Sequence, residues 1–140
     1  MANRIIFDTE TTGLNSQRDE ILEIAFIDAD GNTLHVGRYK PSRATSWPEA
    51  AAVNGIWPED VADCPPVNHD VDLIKRIIEN SDEIVGYNVE FDLGFLAALG
   101  NRAARRCQDH RYDARLRSRP RRLERLLRGF HLVQTDHRSS

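Results

Sequence analysis

The stretch Ile5-Ile6-Phe7-Asp8-Thr9-Glu10-Thr11-Thr12-Gly13-Leu14 joins an apolar run to a pair of acids, and the fold is organised around it. Its three consecutive apolar residues predict a buried strand. Asp8 and Glu10 then lie on one face of that strand, because side chains alternate with a period of two. The Thr-Thr-Gly segment predicts a turn, in which Gly13 is free to take a positive φ.

Two carboxylates at the end of a buried strand are unfavourable without cations, because each disfavours the ionised form of the other. A divalent metal ion bound through oxygen atoms would resolve that repulsion. From these residues alone a simpler interpretation stays open, in which Asp8 caps a turn and Glu10 points to water.

The next part of the chain predicts an antiparallel meander. A second apolar strand covers 21–27, an Asp-Gly hairpin turn covers 28–32, and a third strand covers 33–39. Glu23 interrupts the second strand and is assigned no chemistry.

Helices and strands alternate after the meander. A short helix over 48–53 ends with Gly55 as its C-cap, and an amphipathic helix covers 69–79. A fourth strand over 83–87 leads into a helix over 89–99. Three hairpin strands followed by this alternation predict an α/β fold with a mixed sheet.

Charge divides the 140-residue chain into two parts, although its length predicts one globular domain. Residues 1–100 hold 7 Lys and Arg against 18 Asp and Glu, a net charge of −11, whereas residues 101–140 hold 12 Arg against 4 acids, a net charge of +8. We therefore expect a domain over 1–100 and an atypical Arg-rich tail over 101–140. With no signal peptide or membrane span recognised, the expected location is cytoplasmic.

A third acid, Asp92, lies four residues after Asn88, so the two share one face of the last helix. An acid at the start of a helix that follows a strand can turn toward the acids of the first strand. The alternative is an ordinary solvated helix acid.

Two segments together resemble a known family. Phe-Asp-Thr-Glu-Thr-Thr-Gly-Leu (7–14) and Gly-Tyr-Asn-Val-Glu-Phe-Asp-Leu-Gly-Phe-Leu (86–96) resemble the first two motifs of the DEDD 3′–5′ exonucleases, and 52–61 resembles the linker between them. The resemblance covers about residues 4–100. It implies a ribonuclease-H-like fold with a three-strand meander, a parallel strand and flanking helices, in which the C-terminal part is truncated or atypical.

The resemblance also implies a reaction. Asp8, Glu10 and Asp92 would be ligands of two divalent metal ions, Mg²⁺ or Mn²⁺, which suit a site built from oxygen atoms. The substrate would be a single-stranded 3′ end of DNA or RNA, released as nucleoside monophosphates. Such a domain works alone or in a polymerase or repair complex.

The family holds the terminal nucleotide with the backbone of the first motif, here Thr9 and Gly13, and with a side chain at the position of Leu14. Asn88 and Phe91 would shape the same pocket. Without the motif context, plain core packing is the better explanation of Leu14 and Phe91.

The family's third motif supplies a general base and a fourth acid, as His-x4-Asp in one branch. His131 and Asp136 have this spacing and are the candidates for the two roles. A His and an Asp five residues apart arise easily by chance in 40 residues, so the interpretation that the third motif is missing is favoured.

The tail also fits a shifted reading frame. Codons permitted for residues 108–114, read one base later, allow Lys-Ile-Thr-Asp-Thr-Met, which is similar to a strand that follows the family's second motif. A frameshift near residue 101 would leave the tail poorly ordered and the exonuclease impaired. The alternative function is a non-catalytic nucleic-acid-binding remnant that grips phosphates with arginine.

Overall fold

The computed structural model describes residues 3–86 and 89–99, together with the backbone of residues 114–115. These residues form one five-stranded sheet with helices around it. None of the described helices is long and apolar enough to cross a bilayer. The strands and α-helices are β1 (Arg4–Thr11), β2 (Ile21–Asp28), β3 (Thr33–Arg38), α1 (Pro48–Asn54), α2 (Val71–Glu79), β4 (Glu83–Gly86), α3 (Val89–Ala98) and β5 (Ala114–Arg115).

β1 is the central strand of the sheet, whose order is β3-β2-β1-β4-β5. It pairs antiparallel with β2, where Ile5 lies opposite Asp28, and parallel with β4, where Ile5 lies opposite Ile84. β2 and β3 are antiparallel as well. The predicted α/β fold, with a meander and a parallel fourth strand, is therefore confirmed.

β5 adds a fifth strand from residues that the sequence placed in the Arg-rich tail. Its two residues pair in parallel with β4, Ala114 opposite Val85 and Arg115 opposite Gly86. A short part of the region 101–140 thus extends the sheet.

Several predicted boundaries differ from the structure by one or two residues, and two of them show how the local contacts set the boundary. The helix expected over 69–79 is a 3₁₀ turn at Val67–Asp70 followed by α2. The tighter turn follows Pro66, whose extended backbone brings the chain in without a side-chain cap. The third strand ends at Arg38 and not at Tyr39, although the Tyr39 amide still donates to the Leu22 carbonyl at 2.8 Å.

The larger core lies on the sheet face that α2 and α3 cover. Phe7 and Phe26 are directly opposite each other on β1 and β2, and their rings stack with centroids 5.3 Å apart. Burying each such ring contributes about 1.5–3 kcal/mol. The buried members of this core are Ile5, Phe7, Ile21, Ile24, Phe26, Tyr39, Ile74, Ile78, Ile84, Leu93, Phe95 and Leu96.

A second cluster fixes α1 near the end of β1. Trp47 is buried just before α1, and its indole N–H donates to the Ile56 carbonyl at 2.7 Å. Gly55 ends the helix with φ 73°, which confirms the predicted C-cap. The cluster consists of Leu22, Trp47, Ala51, Ile56 and Val61.

Candidate active site

Asp8 and Glu10 lie at the end of β1, on the sheet face opposite to Phe7. Asp8 is 7% exposed and Glu10 is partly buried. The β1–β2 register shifts immediately after Glu10, so an irregularity follows the two acids directly. Such bulges redirect side chains at strand ends and are common beside active sites.

Asp92 is buried in the first turns of α3, with 2% of its surface exposed. Its Oδ1 accepts a hydrogen bond from the Thr9 hydroxyl at 2.5 Å. The interpretation of Asp92 as a solvated helix acid is therefore wrong. Because Thr9 alternates with its neighbours, it faces α3 while Asp8 and Glu10 turn to the other side.

One cavity of about 660 Å³ receives the three acids. It opens where the end of β1, the turn after it, α1 and α3 converge. Arg18 is the one cation among the described residues that line it. Those residues are Asp8, Thr9, Glu10, Thr11, Thr12, Gly13, Leu14, Arg18, Asp19, Glu49, Ala50, Val53, Asn54, Phe91 and Asp92.

Apolar side chains border the cavity in two different ways. Leu14 and Val53 stand in solvent, 87% and 90% exposed, so core packing does not explain Leu14. Phe91 packs against the main core and contacts Phe95, with ring centroids 5.0 Å apart. Phe91 therefore serves the core and lines the cavity at the same time.

Gly13 is required by the close approach of the Asp19 carboxylate, and it does not use the positive φ that is open to a glycine. Among the described glycines, only Gly31 and Gly55 have positive φ. A Cβ at Gly13 would collide with the Asp19 carboxylate, whose Oδ2 accepts a hydrogen bond from the Asn15 amide at 2.9 Å. The turn is narrow because this carboxylate folds back over it.

The far end of the same loop is anchored by Glu20. Its carboxylate accepts hydrogen bonds from the Ser42 hydroxyl at 2.7 Å and from the Ala44 amide at 2.9 Å. Partial burial acts to raise the pKa of Glu20, but these hydrogen bonds outweigh it and lower the pKa. Thr12 closes the loop by a backbone pair with Glu20, in which the Thr12 amide donates to the Glu20 carbonyl at 2.8 Å.

Asn54 attaches α1 to the site. Its side-chain amide donates to the Thr11 carbonyl at 3.1 Å, and its Oδ1 accepts from the Ile56 amide at 2.9 Å. The side chain thus joins the end of β1 to the last turn of α1, across 43 residues of sequence.

The carboxylate oxygens that line the cavity are ligands of the kind that a hard divalent cation binds. Carboxylates are the oxygen ligands that Mg²⁺ and Mn²⁺ prefer, and Asp8, Glu10 and Asp92 all line one cavity. Within residues 3–86 and 89–99, however, the acids do not form a ready-made group of three that could hold a metal ion. The Oδ1 of Asp92 is engaged by the Thr9 hydroxyl.

Three predicted site residues, Asn88, His131 and Asp136, lie outside the described residues. Their predicted roles stay predictions.

The exonuclease family described as RNase_T matches residues 5–140 of this sequence. The chain belongs to this family. The match includes the Arg-rich region as well as the two motifs. Family membership and the fold together confirm the resemblance to the DEDD exonucleases.

Relatives within the family carry two kinds of name. DNA polymerase III subunit epsilon of Salmonella typhimurium is 35% identical over 106 residues, which cover 69% of this chain and 42% of that protein. Ribonuclease T of Cronobacter sakazakii is 30% identical over 118 residues, covering 71% and 53%. The chain thus spans about two fifths to one half of the length of these two relatives.

Solved structures agree on the fold. Apo exonuclease I superposes with a TM-score of 0.65 at 20% identity, over 82% of this chain and 28% of that chain. Escherichia coli exonuclease I in complex with a dT13 oligonucleotide gives a TM-score of 0.64 at 20% identity, over 82% and 27%. The family's sheet with flanking helices is therefore present here.

Sequence reasoning missed several residues that shape the cavity. The sequence indicates Val53 only as part of a short helix, and it indicates no role for Arg18 or Asp19. The Asn-Gly pair at Asn54 indicates a turn in which the Asn side chain bonds the backbone two residues on, as it does with the Ile56 amide, but it does not indicate the bond to Thr11. Nothing local indicates that Asp19 folds over Gly13.

Proposed function

We propose that this domain is a 3′–5′ exonuclease, which hydrolyses the phosphodiester bond at the 3′ end of single-stranded DNA or RNA and releases nucleoside monophosphates. The observation that supports this most is the single cavity that contains Asp8, Glu10 and Asp92 beside exposed Leu14. Acids for the scissile phosphate and an apolar contact for a base are thereby adjacent. The cavity's volume is in the range of small-ligand sites.

Two divalent cations, Mg²⁺ or Mn²⁺, complete the proposal. Asp8, Glu10 and Asp92 would hold them, and metal ions in such a site activate a water and stabilise the leaving oxygen. The hydrogen bond from Thr9 fixes the orientation of Asp92 before any ion arrives. Asp8 is already desolvated, which strengthens its attraction for a cation.

The nucleotide would be held by the residues around the turn. Leu14 presents an exposed apolar surface to a base, while Phe91 forms the floor beside Asp92. The backbone at Thr9 and Gly13 would meet the 3′-terminal sugar, and Asn88 would close the pocket. Each assignment is part of this proposal.

The base that deprotonates the attacking water is assigned to His131, with Asp136 as the fourth acid. A general base contributes about 10²–10⁴-fold to such reactions. If a shifted frame has replaced the family's third motif, the activity is lowered by about that factor. Sequencing the coding DNA tests this, since a frame without a downstream His-x4-Asp motif contradicts the shift.

A second candidate is nucleic-acid binding without cleavage. It is favoured by the excess of arginine in 101–140 and by the turn of Asp92 toward Thr9. The names of the epsilon relatives make a DNA polymerase the first partner to test for either candidate.

The deciding experiment uses the purified full chain and a 3′-labelled single strand with Mg²⁺, Mn²⁺ or EDTA. We expect metal-dependent loss of the label, and a fall of more than about 10²-fold in Asp8→Ala, a larger effect than changes to residues behind metal ligands usually give. Asp63→Ala, which removes an exposed acid outside the cavity, is the matched control. Salt-sensitive binding without label loss would favour the second candidate.

A further inference from the structure

We propose that the buried ion pair between Glu23 and Arg38 is a positioning device, which directs the carboxylate of Glu10 into the cavity and strengthens cation binding there. The proposal rests on the proposed function, in which Glu10 is a metal ligand. Glu23 and Arg38 lie outside the lining of the cavity, so they would act through Glu10 and not on the substrate.

The three residues form one row across the sheet. Glu10 on β1 lies directly opposite Glu23 on β2, and Glu23 lies directly opposite Arg38 on β3. Opposed residues of antiparallel strands point to the same face, with Cβ atoms about 4.5–5.5 Å apart. The order of charges along the row is therefore negative, negative, positive.

Glu23 and Arg38, the two members of the row that lie farther from the cavity, are held together by an ion pair. The Arg38 Nε and the Glu23 Oε2 are 2.7 Å apart, and each side chain is 1% exposed. A guanidinium paired with a carboxylate at this distance makes a charge-assisted hydrogen bond, which is among the stronger polar contacts in proteins. Glu23 consequently cannot turn away from Glu10 without leaving Arg38.

The order of charges decides the direction of the force on Glu10. The nearer charge, on Glu23, is negative, and the compensating charge on Arg38 lies one strand farther away. Like charges directly opposite each other on a sheet repel. The carboxylate of Glu10 is thus pushed away from Glu23 and toward the cavity that it lines.

A purely structural role for the pair is a weak explanation. Replacing a buried ion pair with apolar residues of similar volume is often neutral or stabilising, because desolvation offsets the attraction. A pair kept only to join β2 to β3 would be replaceable by such residues without any effect on Glu10. A purely structural role does not explain why the Glu23–Arg38 pair lies directly beside Glu10.

The test measures Mn²⁺ affinity by electron paramagnetic resonance on the full chain, with thermal melting in EDTA to verify folding. The variant Glu23→Gln/Arg38→Gln removes both charges, and the apolar variant Glu23→Leu/Arg38→Met provides a second version if the first melts too low. Each is made with Glu10 and with Glu10→Gln. The matched control is Arg4→Gln/Glu83→Gln, which removes an Arg–Glu pair of 2.8 Å between β1 and β4.

We expect either pair variant to weaken Mn²⁺ binding by about 10–100-fold, the range seen for residues behind metal ligands. In the Glu10→Gln background the same change has little further effect, and the control pair leaves the affinity unchanged. Unchanged affinity in a folded pair variant, or an equal loss with Glu10→Gln, would overturn the positioning role. If Glu10→Gln alone leaves Mn²⁺ binding intact, the proposed metal assignment fails instead, and the positioning role fails with it.

Discussion

Thr9 and Asp92 meet across 83 residues of sequence, where the threonine hydroxyl donates to the aspartate Oδ1 at 2.5 Å. Both side chains are buried, at 6% and 2% exposure. The bond joins the strand that carries the first two acids to the helix that carries the third. It fixes Asp92 by a group that bears no charge of its own.

The first prediction concerns this hydroxyl. Thr9→Val keeps the shape of the side chain and removes the donor. The buried carboxylate of Asp92 then loses a hydrogen bond that contributes about 1.5–3 kcal/mol. We expect nuclease activity to fall by about tenfold or more, while Thr9→Ser retains most of it. Steady-state rates for the three proteins check this. Equal rates for Thr9→Val and the wild type would contradict the role of the bond.

The second prediction concerns Arg18, the one cation among the described lining residues. If it contacts a phosphate, Arg18→Ala weakens single-strand binding and reduces the slope of log affinity against log salt by about 0.7. Fluorescence anisotropy with a labelled oligonucleotide at several salt concentrations measures both. Lys75→Ala on the exposed side of α2 is the control, because it removes a charge far from the cavity lining. An unchanged slope in Arg18→Ala would exclude a phosphate contact.

The third prediction concerns acid stability. The Tyr39 hydroxyl donates to Asp70 at 2.8 Å, and the His35 Nε2 lies 2.8 Å from the same hydroxyl. Burial lowers the pKa of His35 more than the Asp70 carboxylate raises it. Burial acts to raise the pKa of Asp70, but hydrogen bonds from Tyr39 and His69 outweigh it, so that pKa is lowered too.

Both shifts act in the same direction. A group with a lowered pKa in the folded state stabilises the fold above its unfolded pKa, and this stability is lost as the pH falls. The melting temperature should therefore decline below about pH 6.5 for His35 and again below about pH 4 for Asp70. His35→Gln should flatten the upper decline, whereas His69→Gln, at an exposed histidine, should not. An upper decline that survives His35→Gln assigns it to another group.

The fourth prediction distinguishes Gly13, which is limited by a close approach, from Gly55, which is limited by its positive φ. Gly13→Ala forces the Asp19 carboxylate away from the Asn15 amide, so the loop around the cavity should loosen and activity should fall. Adding Asp19→Ala removes the collision, and the double variant should be no worse than Asp19→Ala alone. Gly55→Ala meets nothing within 4 Å but has φ 73°, so it should cost about 1–2 kcal/mol of stability. Activity and melting curves of these variants provide the comparison.

Most of the fold could be predicted because its strands, turns and helix caps depend on short stretches of sequence. The apolar run before Asp8, the Asp-Gly turn near Gly31 and the C-cap at Gly55 each depend on a few neighbours. Asp92 was predicted as a site residue, but its bond to Thr9 depends on how α3 docks.

Contacts across the sheet could not be predicted in the same way. Glu23 was assigned no chemistry, because its partner Arg38 is chosen by the β2–β3 register and not by any nearby residue. Such features require the register before they can be recognised.

The position of β1 in the sheet also sets an order of folding. β1 and β2 join residues a few tens of positions apart at most, whereas the pairing of Ile5 with Ile84 closes a much longer loop. Loop closure costs more entropy as the loop lengthens. We therefore expect β1 to pair with β2 before it pairs with β4, so that Asp8 and Glu10 are placed on the sheet before Asp92 joins them.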